Sequence, residues 1–145
     1  MGLADLPSVD PRPLRQKFEE VPAKIARHQR KVAKEKELED AYEVVNQRDG
    51  NVCWVSGEYL QPGAVEAKSR REHHHLKGRR VRPEWVTKPE RIILVSALVH
   101  DLITRGLIEV EGDDARKPLF FHWAAHVRPE HRIFRIQRRF SRERD

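Results

Sequence analysis

Three consecutive histidines, His73, His74 and His75, sit in a stretch crowded with cations: Lys68, Arg70, Arg71, Lys77, Arg79, Arg80 and Arg82. Glu72 stands beside the triplet, and a fourth histidine, His100, lies inside a later apolar run. Protonating adjacent imidazoles among guanidinium groups is unfavourable, so several of these rings should stay neutral near pH 7. Neutral imidazole is the form that ligates a metal and the form that takes a proton as a general base. Arginine clusters attract phosphate. Imidazole and arginine in one short stretch therefore suggest phosphodiester chemistry.

The elements that must carry these groups follow from pattern. Val65 to Leu76 reads as a basic strand, which puts His73 and His75 on one face and His74 on the other. Lys77 to Pro89 reads as an irregular basic loop containing Pro83 and Pro89, with Trp85 as a lid on the core rather than a base-stacking group. A helix is predicted to begin at Thr87 or Lys88, with Pro89 near its first turn and Glu90 complementing its dipole. Its apolar stripe is Ile92, Val95, Val99, Leu102 and Ile103, running to about Arg105, and Gly106 stops it. His100 lies off the centre of that stripe, on the side of Ile93 and Ala97.

Upstream, Ala23 to Gln47 lacks proline and glycine and is rich in Lys, Glu, Ala and Arg, a composition that favours helix. Ile25, Val32, Leu38, Ala41, Tyr42 and Val45 make a loose stripe that is strongest toward the C-terminal half. The first half is basic (Lys24, Arg27, Arg30, Lys31, Lys34) and the second acidic, which opposes the helix dipole. Packing of Tyr42, Val44 and Val45 on the core is expected to hold it instead. For the basic half a solvated face is the default, and contact with a DNA backbone is the alternative. Arg48-Asp49-Gly50-Asn51 reads as a turn with Gly50 or Asn51 at positive φ, and Val52 to Val55 as a short strand.

Downstream, Leu107 to Val110 and Pro118 to Trp123 read as two strands joined by the acidic loop Glu111 to Ala115. That loop lacks the ligand spacing of a calcium-binding EF-hand. His122 falls on a strand, so His122 and His126 carry little weight as ligands. Residues 1–22, with Pro7, Pro11, Pro13 and Pro22, read as an extended lead. From Val127 the chain is arginine-rich. Ile133, Phe134, Ile136 and Phe140 either dock a helix or strand on the body, with arginines left for phosphate, or belong to a disordered basic tail.

The central segment resembles the HNH nuclease family. The resemblance rests on Arg48-Asp49-Gly50 ahead of Cys53-Trp54-Val55-Ser56, and on His74-His75-Leu76 followed by Arg79. It continues with Arg91-Ile92-Ile93-Leu94 opening the helix and His100-Asp101-Leu102-Ile103 closing it. Leu107 to Gly112 is similar to the short strand that follows the helix in many phage-type members. Roughly residues 45 to 125 are covered. The resemblance implies an α+β fold: a ββα-metal core with an N-terminal helix, a C-terminal β-hairpin and a basic tail. It implies His75 as general base, His74 and His100 as ligands of one divalent metal, and Arg79, with Arg71 beside it, on the flanking phosphate. The implied partner is DNA, in double-stranded form, reached by Lys68, Arg70, Arg71, Lys77, Arg80, Arg82 and Arg91. The implied reaction is single-metal hydrolysis of phosphodiester bonds, leaving 5′-phosphate ends.

The chain departs from the family pattern in three places. Zinc-knuckle members carry cysteine where Ser56, Ser96 and Val99 stand here. One thiolate cannot build a tetrahedral site, so no structural zinc is expected, and Cys53 is read as a small buried apolar group. Trp54, Val95, Leu98 and Val99 are expected to fill that space. Arg91 replaces the helix-opening Asn, and Thr104 stands where many members have a further histidine ligand. Waters, Glu72 or His73 are the candidates to complete the metal shell, and Mg²⁺, Mn²⁺, Zn²⁺ and Ni²⁺ all remain open. The departures keep two other readings alive: a degenerate HNH fold that binds DNA without cutting it, and a small structural or adaptor protein with a phage or host partner.

Composition bounds the rest. At 145 residues the chain suits one domain, read as 23–126, with 38% hydrophobic and 36% charged residues. The core must be small and the surface heavily charged. A net charge of +6 favours a polyanionic partner, although a well-solvated basic protein explains the charge equally well. A single cysteine excludes an internal disulfide and suits a reducing cytosol. The first ten residues lack the basic start and apolar core of a signal peptide, and no stretch approaches the ~20 apolar residues of a membrane span. A soluble, cytoplasmic protein without a membrane partner is expected.

Overall fold

The structure, a computed structural model, describes residues 22–137; the proline-rich lead and the chain beyond Gln137 lie outside the described residues. The chain divides into two compact units, residues 1–36 and 37–145. Helix α1, Ala23–Asp49, spans that boundary in sequence. In the first unit its described residues are exposed except for half-buried Ala26. In the second unit α1 buries Ala41, Val45 and Asn46 and half-buries Tyr42, whereas Val44 points to solvent, contrary to its expected packing. The helix ends where Gly50 and Asn51 both adopt left-handed backbone, with φ of 61° and 57°. Glycine takes that conformation freely and asparagine tolerates it.

The second unit is built on two antiparallel strands followed at once by a helix. Strand β1, Arg71–His75, pairs with β2, Ile92–Ser96, in the register His73 to Leu94, His74 to Ile93 and His75 to Ile92. Helix α2, Ala97–Thr104, begins where β2 ends. Residues 92–96 therefore do not open the helix, as their spacing had suggested. Ile92, Ile93, Leu94 and Val95 are each fully buried, so the run is covered on both faces and carries no periodicity that could tell strand from helix. Ser96 marks the true boundary: its Oγ accepts from the Val99 amide at 3.1 Å as the helix N-cap. Gly106, at φ 75°, ends the element as expected.

Two other predicted strands shrink. β1 covers only 71–75, because the Ser69 and Arg70 amides both donate to Glu66 O and fold the preceding residues into a turn. Val52 to Val55 is not a strand. It is the start of a tight knuckle in which Cys53 N donates to Glu58 O and Gly57 N to Cys53 O, leaving one bridge between Val52 and Tyr59. Gly57 at φ 75° closes the knuckle. The Cys53 sulfur, buried, accepts from the Ser56 amide at 3.5 Å and the Ser96 amide at 3.4 Å. Val95 and Val99 are buried nearby in the core, and Trp54 and Leu98 pack against it.

A second hairpin follows α2: β3, Ile108–Glu111, pairs with β4, Phe120–Trp123. The acidic loop between them is braced by buried Asp114, whose carboxylate accepts from the Arg116 amide and guanidinium. Those bonds hold the Asp114 carboxyl well below the usual carboxylate range. Among the described residues after Val127 there is no helix or strand beyond one 3₁₀ turn at Pro129–His131; Ile136 is buried and Gln137 N donates to Val55 O, while Phe140 lies outside the described residues. Among the described residues no helix is long and apolar enough to cross a membrane.

Candidate metal and nucleic-acid site

Strand alternation distributes the histidine triplet as expected. His74 turns toward α2, where its ring meets His100 edge-on at 5.5 Å between centroids. Glu72, two residues earlier on the same face, accepts from His100 Nδ1 at 3.3 Å. His73 and His75 turn toward α1. His73 stacks on Tyr42 at 4.0 Å and its Nε2 lies 2.7 Å from Asn46 Oδ1, while the His75 ring stands 5.8 Å from Tyr42 at a tilt of 60°. The two faces meet at one open cleft of about 400 Å³, which also takes in Gly78, Arg79 and Thr104. Thr104 Oγ1 is occupied with the His100 carbonyl at 2.9 Å.

Burial first, and neighbouring cations and imidazoles second, favour the neutral form of all three rings. Burial, with the neighbouring His100 and His75, pushes His74 down to about 4. Burial, Arg71 and His75 push His73 down to about 4 as well. His75 is lowered by burial first and then by the Arg79 guanidinium. Its Nε2 stands 3.2 Å from the Val86 carbonyl oxygen. A carbonyl only accepts, so Nε2 carries the hydrogen, and the neutral ring keeps its lone pair on Nδ1. A base with a fixed tautomer and a free nitrogen follows from that one bond. Burial also raises the Tyr42 phenol, against the opposing pull of Arg79.

The donor set fits a cation in part. His74 and His100 are two imidazoles on one cleft wall, and the Glu72 carboxylate on His100 Nδ1 is the arrangement that leaves Nε2 free to ligate. His73 is not with them: it lies on the other face of β1 and is engaged by Asn46 and Tyr42. Among the described residues no group of three or more His, Cys, Asp and Glu side chains is placed to hold a metal ion. Water and a phosphate oxygen would have to supply the remaining positions.

The predicted phosphate contacts separate into two sets. Lys68, Arg70, Lys77, Arg79, Arg80 and Arg82 are exposed. Lys68 stands 3.8 Å from Glu66, Arg82 3.9 Å from Glu84, and Arg70 reaches the Val65 carbonyl at 3.5 Å. Arg71 is half-buried and donates to Asn51 Oδ1 at 2.9 Å. Arg91 is taken up by the fold. It donates to the Asp113 carbonyl at 2.5 Å, stands 3.6 Å from the Asp113 carboxylate, and lies 3.9 Å above the Trp85 ring. Neither helix-opening residue nor free cation, Arg91 is a structural pin, and Trp85 is half-buried beneath it.

Sequence reasoning did not find Tyr42 as part of the cleft or Asn46 as the partner of His73. Their i, i+4 spacing on the same buried helix face as Ala41 and Val45 was the available signal. Nor did it find how Arg48-Asp49 acts. Arg48 donates to the carbonyls of Pro89 and Ile92 at 2.7 Å each, and Asp49 accepts from the Leu94 amide at 3.1 Å. The pair fastens β2 and so fixes the strand opposite the histidines.

No protein-family model, no curated protein and no solved structure matches this chain.

Proposed function

We propose that the chain is a metal-dependent endonuclease of HNH type that hydrolyses DNA phosphodiester bonds. The observation that carries this reading is the bond from His75 Nε2 to Val86 O, which leaves a neutral Nδ1 as base in the cleft where His74 meets His100. A ββα-metal core is the matching finer description of β1, β2 and α2.

His74 and His100 would hold one divalent cation, which would supply Lewis-acid neutralisation of the phosphate charge. The rest falls to the chain's own groups. His75 Nδ1 removes a proton from water as the water oxygen bonds to phosphorus. The bond from phosphorus to the 3′ oxygen breaks, and that oxygen gains a proton from solvent, leaving a 5′-phosphate. Arg79, exposed at the cleft mouth, neutralises a non-bridging phosphate oxygen. The exposed cations Lys68, Arg70, Lys77, Arg80 and Arg82 hold the backbone without reading bases, so weak sequence preference is expected.

A second reading, DNA binding without cleavage, is favoured by the same geometry, since among the described residues His74 and His100 converge without a third metal-binding side chain and Arg91, where the resemblance expects Asn, is engaged by Asp113 and Trp85. Supercoiled-plasmid cleavage with Mg²⁺, Mn²⁺, Ni²⁺ or Zn²⁺, beside His75→Ala, separates the two. Metal-dependent nicking that disappears in His75→Ala supports the nuclease. A salt-sensitive mobility shift with no cutting under any metal would leave the binding function alone standing.

A further inference from the structure

We propose that Arg91 and Trp85 form a clamp that positions the His75 base, and that the acidic loop of the second hairpin exists to anchor it. The role assigned to His75 rests on the nuclease reading; the clamp itself is a statement about geometry.

The bond that orients His75 ends on Val86, in a loop whose approach, residues 77–84, is exposed throughout. Exposed loops of this kind open at little cost. The loop's own bonds are local: Trp85 N to Arg82 O, Val86 N to Pro83 O, and Lys88 N to Trp85 O. These shape the turn without attaching it to the body. The attachment at Trp85 is Arg91, whose guanidinium carbon lies 3.9 Å from the ring centroid. A shielded cation–π contact at that distance is among the stronger of its kind. Arg82 also approaches the ring, but at 5.3 Å and from an exposed side chain.

Arg91 is in turn held at two points, and its neighbour Glu90 at a third. Its carbonyl accepts from the Leu76 amide at 2.8 Å, next to His75 in sequence. Its guanidinium donates to Asp113 O. Beside it, the Ala115 amide donates to Glu90 O at 2.7 Å, so the acidic loop grips both residues that lead into β2. The path from Asp113 through Arg91, Trp85 and Val86 to His75 is continuous at contact distance. Arg91 and Trp85 touch neither the phosphate site nor the reacting atoms; they act through Val86 O and are positioning residues. Asp113 and Asp114, which resemble a cation loop in sequence, here serve a buttress.

The test reads the His75 Nε2 proton by NMR in the full chain. Bonded to a carbonyl in a residue only 9% exposed, that proton should give a protected resonance in the wild type. His75→Gln, which removes it, makes the assignment. In Trp85→Leu its exchange with water should quicken by about ten-fold or the signal should vanish. Trp85→Phe, which keeps an aromatic face for Arg91, should restore it. Arg91→Met is measured alongside with the same expectation as Trp85→Leu, so that a poorly folded variant does not decide the outcome. A resonance that persists unchanged in Trp85→Leu or Arg91→Met, or one absent from the wild type, overturns the clamp. A wild type that shows the resonance yet cuts no DNA would instead remove the nuclease reading and leave the clamp intact.

Discussion

Tyr42 lies flat on His73, ring centroids 4.0 Å apart and planes 4° from parallel, while Asn46, one helical turn along α1, holds His73 Nε2 at 2.7 Å. Helix, tyrosine, asparagine and histidine close a circuit that fastens β1 on the face His75 shares. His73→Ala should therefore cost about 2 kcal/mol, through lost packing and an unpaired buried Asn46. His73→Phe keeps the stack, loses the bond, and should cost about 1 kcal/mol. Urea unfolding measures both, and equal losses would show that the stack contributes nothing.

The two cleft faces predict separable defects. His75→Ala should lower plasmid cleavage by about 10²- to 10⁴-fold while leaving metal affinity within about two-fold. His74→Ala and His100→Ala should weaken Ni²⁺ or Mn²⁺ binding by at least about ten-fold. Titration calorimetry on the uncomplexed protein checks this without reference to cutting. Wild-type affinity in both His74→Ala and His100→Ala would place the cation elsewhere.

Stability should depend on acidity through His73 and His74. Both rings titrate at about 4 in the folded chain against 6.5 when solvated. Between those values the unfolded chain binds more protons than the folded one, so stability rises with pH across the window. It is complete above about 6.5 and is lost as pH falls toward 4, with an upper bound of about 3 kcal/mol for the more buried His74 and less for His73, whose partly exposed ring is screened by solvent. Urea midpoints at pH 7 and pH 4.5 measure the slope. His74→Leu should make it shallower, leaving the share of His73, and an unchanged slope in that variant would contradict the burial argument.

Arg48 bonds two carbonyls at once, Pro89 O and Ile92 O, with geometry that only a forked donor can satisfy. Arg48→Lys should accordingly cost about 1 to 3 kcal/mol despite the retained charge. Thermal melting of the two proteins at matched pH decides it; a melting temperature equal to wild type would mean the second bond adds nothing.

The parts legible in sequence were those with a local cause. The helix expected over Ala23 to Gln47, which runs on to Asp49, follows from composition, the turn at Gly50-Asn51 from backbone freedom, and the second hairpin from two strand-like runs around a polar loop. The placement of His74 opposite His73 and His75 needed only strand alternation. What was misread had a non-local cause. Ile92 to Val95 is a strand because it is buried on both faces, and no single sequence reveals a second covering face. The contacts of Arg91 with Asp113 and Trp85, one distant in sequence and the other across a proline-broken loop, could not be read from the sequence. The place of Tyr42 in the cleft was hidden for the same reason.

The Cys53 knuckle has an experimental consequence. Its two sulfur-directed amides, from Ser56 and Ser96, close the turn with bonds the polypeptide makes to itself. A chelator should then remove the cation proposed for the His74–His100 cleft without loosening this corner of the core. EDTA would act as a clean on–off switch for cutting, reversible on adding metal back, with the circular dichroism spectrum unmoved throughout.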